Sequence, residues 1–139
     1  MGKASFNILP HYKLIIEKYS GSFLISEYKR MKNEEFEHPD FNPVYDVLAD
    51  LRDACYEMKE PEPDKVIMSV TDYLKSNRGK IGKRKCAFIA IKPDQVVSSV
   101  FYSEYVKDLP IDSKVFSTIE AALNWLAVKN IDSIKDSLK

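Results

Sequence analysis

Glycine, histidine and cysteine are all scarce in this chain: four, two and two among 139 residues. Each scarcity removes a class of chemistry. There is no G-x-G-x-x-G fingerprint and no G-x-x-x-x-G-K-S/T phosphate loop, since Gly79 and Gly82 stand only three apart. Cys55 and Cys86 form no C-x-x-C and have no His/Cys cluster around them, which excludes a zinc site and a disulfide scaffold. A thiol nucleophile at Cys55 needs an activating base, and nothing in the sequence sets His11 or His38 beside it. No Ser-His-Asp order, metal motif or glycosidase-like pair can be argued. Long apolar runs are missing as well. None approaches the roughly 20 residues of a membrane span, and no apolar segment follows Lys3 to make residues 1–7 a signal peptide. The expectation is a protein with no cofactor, no metal, no integral membrane association and no enzyme activity.

Net charge is also absent, with 21 Lys plus Arg against 21 Asp plus Glu. Bulk charge therefore leaves no footprint for nucleic acid. The distribution is uneven. Residues 27–64 hold twelve acids and five bases, a net of −7, while residues 73–92 hold seven bases and no acid. Either two solvated regions offset each other, or complementary patches favour head-to-tail contact or an acidic partner. What remains is ordinary globular composition, 45% apolar and 30% charged. It reads as one cytoplasmic domain over residues 1–139, with 130–139 as a polar tail prone to fray.

Hydrophobic period orders the elements. Strands are expected at Ser5–Leu9, Lys13–Tyr19 (ended by Ser20-Gly21-Ser22), Tyr45–Leu51, Cys86–Ile91 and Lys114–Phe116. Helices are expected at Phe23–Phe36, with Leu24, Tyr28 and Met31 on one face, and at Lys65–Ser76, capped by Asp64. A third starts at Pro93 with Val96, Val97, Val100, Phe101 and Tyr105 facing the core. The last follows a capping box at Ser117–Glu120 and buries Ile119, Ala122, Leu123 and Leu126. The order β-β-α-β-α-β-α-β-α implies an α/β domain with a mixed, mostly parallel sheet flanked by helices, the first two strands pairing as an antiparallel hairpin.

This order, with Phe41–Ala54 (FNPVYDVLADLRDA) and Val115–Leu126 (VFSTIEAALNWL), resembles SpoIIAA-like proteins and the STAS domain of anti-sigma-factor antagonists. The resemblance spans residues 5–127 and implies two functional models. One is a protein-docking switch. The other is a holder of a small apolar ligand between helices and sheet, as in similar Sec14-type lipid-binding domains. The family's switch is a phosphorylated Ser or Thr after a central strand. Residues 44–68 contain no Ser, Thr or Gly, so that switch is expected to be missing.

Asp46, Asp50, Arg52 and Asp53 form the best polar cluster. In open α/β sheets, ligands sit beyond the carboxyl ends of strands. Asp50, Arg52 and Asp53, with Tyr56 beyond them, are therefore expected as a ligand or partner rim. Alternatively, Asp50 and Asp53 tie down loop backbone and Arg52 pairs with one of them. Asp50 is not a receiver-type phosphoacceptor, because Lys18-Tyr19-Ser20-Gly21 stands where an acidic pair is needed. Lys80, Lys83, Arg84 and Lys85 lie in a basic loop expected to be solvated or to contact an anion or acidic partner. Tyr102, about 100° from Phe101 around its helix, is expected at a pocket mouth or dimer contact. The function expected is a non-catalytic cytoplasmic interaction or regulatory module, possible as a homodimer. The alternative is a carrier or sensor of a small apolar or amphipathic ligand. An exposed apolar patch would favour the first, and an enclosed cavity of about 300 Å³ or more the second.

Overall fold

Branched and aromatic residues at alternate positions build five strands, and the connections between them decide where the helices go. The computed structural model describes residues 2–55, 63–129 and 131–137. The strands are β1 (Lys3–Leu9), β2 (Leu14–Ser22), β3 (Asp46–Cys55), β4 (Arg84–Ile89) and β5 (Ile111–Phe116). They form one sheet in sequential order, with β1 antiparallel to β2 and the remaining neighbours parallel. The helices are α1 (Ile25–Glu37), α2 (Pro63–Ser76), α3 (Pro93–Tyr105), α4 (Ile119–Trp125) and α5 (Ile131–Ser137). The α1, α2 and α3 crossovers all step one strand in the same direction. Right-handed crossovers then place all three helices on one face, where they cover Ile15, Tyr19, Val47, Ala49, Leu51 and Phe88. The other face, with Leu14, Ile16, Leu48, Ala87 and Ile89, is covered by α4 and α5.

The expected architecture holds, and the differences are local. β2 does not stop at Ser20. It runs on through a bulge between Lys18 and Ser20, with Gly21 at φ 69°, and pairs to Cys55. β3 is correspondingly longer than expected, running past Leu51 to Cys55, so Arg52 and Asp53 join Asp50 as strand residues rather than lying in a loop. The α4 cap is Thr118, whose Oγ1 accepts from the Ala121 N–H at 3.2 Å, one residue on from the expected serine. Within the segment expected as a polar tail, residues 131–137 form α5, which buries Ile134. The Asp64 side chain lies outside the described residues, as does Tyr56.

Candidate functional site

The α3 helix is turned opposite to its apolar pattern. Val96, Val97 and Val100 are 38%, 48% and 56% exposed, whereas Gln95, Ser98, Ser99 and Tyr102 are buried. The cause lies at the end of β3. Pairing with β4 stops at Asp50–Ile89, but β3 continues to Cys55. Beyond that point backbone groups on the β4 side need other partners. Gln95 supplies them: its Nε2 donates to the carbonyls of Ala54 (2.7 Å) and Arg52 (3.2 Å). Its Oε1 accepts from the N–H groups of Ile91 and Lys92, each at 3.0 Å, which closes the start of α3. An apolar side chain makes none of these bonds. Ser98 and Ser99 donate back to the Asp94 and Gln95 carbonyls at 2.8 Å.

Tyr102 is therefore a core residue rather than a surface contact. It packs edge-on against Phe88 with centroids 4.9 Å apart, and burial pushes its phenol well up. Phe101 and Tyr105, expected in the core, are only half-buried and stack on each other. Met68 on α2 and Ile91 just before α3 are exposed too. The α3 valines thus belong to an apolar surface with polar structure behind it.

Asp50 and Arg52 come together on the opposite face of the sheet from Tyr102, in the parity of Leu48. Arg52 grips Asp50 with both arms, Nε to Oδ1 at 2.9 Å and Nη2 to Oδ2 at 2.8 Å, and its N–H adds a third bond at 3.1 Å. Burial works to raise the Asp50 pKa, but these bonds outweigh it and the carboxyl stays below its ordinary value. The pair is internally satisfied, and Asp53 beside it is exposed.

The basic residues do not form one loop patch. Lys80 lies over the Phe36 ring at 5.5 Å. Arg84 is the first residue of β4 and is buried, its Nε donating to the Tyr45 carbonyl at 2.7 Å above the Phe41 ring. Lys85 donates to the Trp125 carbonyl at 3.2 Å, and Lys83 is exposed. Lys83, Arg84 and Lys85 do line one open concavity of about 590 Å³, but Asp46 and Asp112 share it and offset the charge.

The sequence reading missed a buried charge cluster. Glu17 on β2 and Lys32 and Glu35 on α1 are all buried. Lys32 Nζ donates to Glu17 Oε2 and to Glu35 Oε1, each at 2.8 Å, and Tyr19 Oη donates to Glu17 Oε1 at 2.7 Å. Two signals were available. Tyr28, Met31, Lys32 and Glu35 share one helical stripe, and Glu17 sits between Ile15 and Tyr19 in the inward parity of its strand. Glu17 and Lys32 line a cavity of about 50 Å³ under α1, α2 and α3, closed on its far side by Ser98, Ser99 and Tyr102. Cys86 lines it as well, and burial raises its thiol far above the ordinary value. Cys55 is exposed, and both cysteines are free thiols.

The fold is that of an α/β domain with a SpoIIAA-like architecture: a mostly parallel sheet with helices on both faces. No family model and no curated protein matches the chain. Among solved structures it is similar to an uncharacterised protein of the DUF3478 family with a SpoIIAA-like fold from Shewanella loihica PV-4. The TM-score is 0.61 at 15% identity, over 91% of this chain and 95% of that one. The resemblance read from the sequence therefore holds at the level of fold. Among the described residues, no helix is long and apolar enough to cross a membrane.

Proposed function

We propose that this is a non-catalytic interaction module that docks through the outward face of α3, and that a second copy of the chain docks there. The observation that carries the reading is the rotation of α3. Gln95 fixes the helix with its valines outward, and a surface stripe of this kind is characteristic of protein contact. Self-pairing is supported by charge. Around the stripe, Asp94 and Glu104 are matched in number by Lys92 and Lys107, so the rim carries no net charge to repel a second copy or to favour a strongly charged partner. Docking needs no phosphorylated residue in segment 44–68, which has no Ser or Thr. Free thiols at Cys55 and Cys86 suit a reducing compartment such as the cytoplasm. The carrier alternative has less support, because a cavity of about 50 Å³ is far below the roughly 300 Å³ of a small-molecule pocket.

Sedimentation velocity on untagged protein at micromolar concentrations tests this. A species of twice the 16.0 kDa chain mass is expected, reduced to monomer by V97E/V100E with the fold intact. A wild type that stays monomeric, or a dimer indifferent to those substitutions, overturns self-pairing through α3. In native mass spectrometry, a bound mass that is lost on denaturation would instead favour the carrier.

A further inference from the structure

The Glu17–Lys32–Glu35 cluster has no part in the α3 surface, and its hydrogen bonds do not close. The Lys32 ammonium has three donors. Two go to the carboxylates, and the Phe36 ring lies 5.2 Å from the nitrogen. Both Glu17 oxygens are engaged, by Lys32 and by Tyr19. Glu35 Oε2 is left buried with no partner. Two carboxylates against one ammonium also leave the cluster with a surplus negative charge in the core. An ionised Glu35 is thus doubly unfavourable: one oxygen is stripped of water, and a like charge stands beside it.

We propose that this cluster is a proton-binding site: Glu35 holds one exchangeable proton at neutral pH, and losing that proton unlatches α1 from the sheet. With the proton in place, Glu35 is a neutral acid facing the Glu17 carboxylate, and Lys32 and Glu17 balance each other. Without it, the excess charge sits on the only buried polar tie between α1 and β2 among the described residues. The tie matters because α1 is otherwise seated by few buried apolar side chains, Tyr28 and Met31.

Among the described residues, no neighbouring element offers a compensating charge that is free to respond. From β2, Tyr19 donates to Glu17; from α1, Tyr28 stands nearby; from α2, Tyr73; and from α3, Tyr102. Burial raises all four phenols, which keeps them neutral. From β4, Cys86 is held as a thiol in the same way. The Arg84 guanidinium is cationic but committed to the Tyr45 and Asn42 carbonyls. β3 turns Val47, Ala49 and Leu51 to this side, and Lys80, after α2, lies over Phe36 from outside.

The electrostatics agree. Burial, then the Glu17 charge, push Glu35 up to about 8, with Lys32 opposing them. Burial also works to raise Glu17, but Lys32 prevails and lowers it to about 2. The two carboxyls therefore act in opposite directions on stability. Glu35, raised in the fold from 4.5 to about 8, contributes fully below 4.5 and loses its contribution as pH rises through about 8. Glu17, lowered from 4.5 to about 2, contributes above 4.5 and loses its contribution as pH falls through about 2.

The test is a carbon-13 titration of Glu-labelled protein, with E35Q as the control. One side-chain carboxyl is expected to titrate close to 8, and its resonance to vanish in E35Q. Over the interval between 4.5 and about 8, the wild-type folding constant should weaken up to about tenfold per pH unit relative to E35Q. Hydrogen exchange, corrected for base catalysis, should show α1 amides losing protection ahead of α4 amides above that pH. The proposal is overturned if every Glu carboxyl titrates in the ordinary range, if E35Q keeps the wild-type pH slope, or if α1 and α4 lose protection together. Should E35Q not fold, the wild-type titration and exchange decide the matter alone.

Discussion

Helices α3 and α4 both carry an apolar stripe at helical spacing, yet α4 buries its stripe and α3 exposes its own. They pack on opposite faces of one sheet, and the difference lies in what each face offers. Beneath α4 the sheet presents Leu14, Ile16, Leu48, Ala87 and Ile89, and the buried Asp50 carboxylate on that face is already held by Arg52 from its own strand. Ala122, Leu123 and Leu126 go where burial is favourable. Beneath the start of α3, strand β3 outlasts β4 and leaves carbonyls that need donors. There a glutamine is worth more than a valine, because an unpaired buried carbonyl costs more than an exposed methyl group. Amphipathic spacing identifies the apolar side of a helix. It does not say which side the protein will bury.

Two substitutions should break this contrast with the largest effects. L123A removes a fully buried side chain from the aliphatic face, and a loss of about 3 kcal/mol in urea unfolding is expected. Q95L keeps the side-chain volume but strips four hydrogen bonds from buried or half-buried backbone. About 2 kcal/mol is expected there. If Q95L were as stable as the wild type, the polar tie would not be what sets the rotation of α3.

The same lesson explains how much the sequence made legible. Strand and helix order, and the resemblance that rests on it, followed from period and turn residues, because those are local properties of the chain. Cys86 reads as a buried hydrophobe from the run it opens, and it is one. What stayed hidden depends on partners distant in sequence. No local pattern marks Gln95, whose partner Ala54 stands 41 positions earlier. Glu17 lies within an expected strand, but its role appears only when Lys32 arrives from α1. Arg84 reads as part of a basic loop until the Tyr45 and Asn42 carbonyls take its guanidinium.

Asp50 and Asp53 offer a sharper version of the contrast within one strand. R52A should cost about 1–2 kcal/mol, because it leaves the buried Asp50 carboxylate without its bidentate partner. D53A touches an exposed side chain and should fall within about 0.5 kcal/mol of wild type. Thermal unfolding of the two variants decides whether this cluster is architecture or a site. Equal and negligible shifts would return Arg52 to the list of binding residues.

The smallest expected effect is the most discriminating. At a buried valine, truncation to alanine removes packed methyl groups and costs about 1 kcal/mol or more. At Val100, 56% exposed on the outward side of α3, there is little packing to lose. Alanine also favours the helix, since a branched side chain gives up rotamer freedom there. V100A should therefore leave the monomer unchanged or more stable by a few tenths of a kcal/mol. The same substitution trims the stripe through which two copies are proposed to meet, and so should weaken self-association. A variant with an unchanged or higher unfolding midpoint and a larger dissociation constant would separate the two roles of α3. If folding and association both weakened, Val100 would be a core residue, and the rotation imposed by Gln95 would no longer account for the helix.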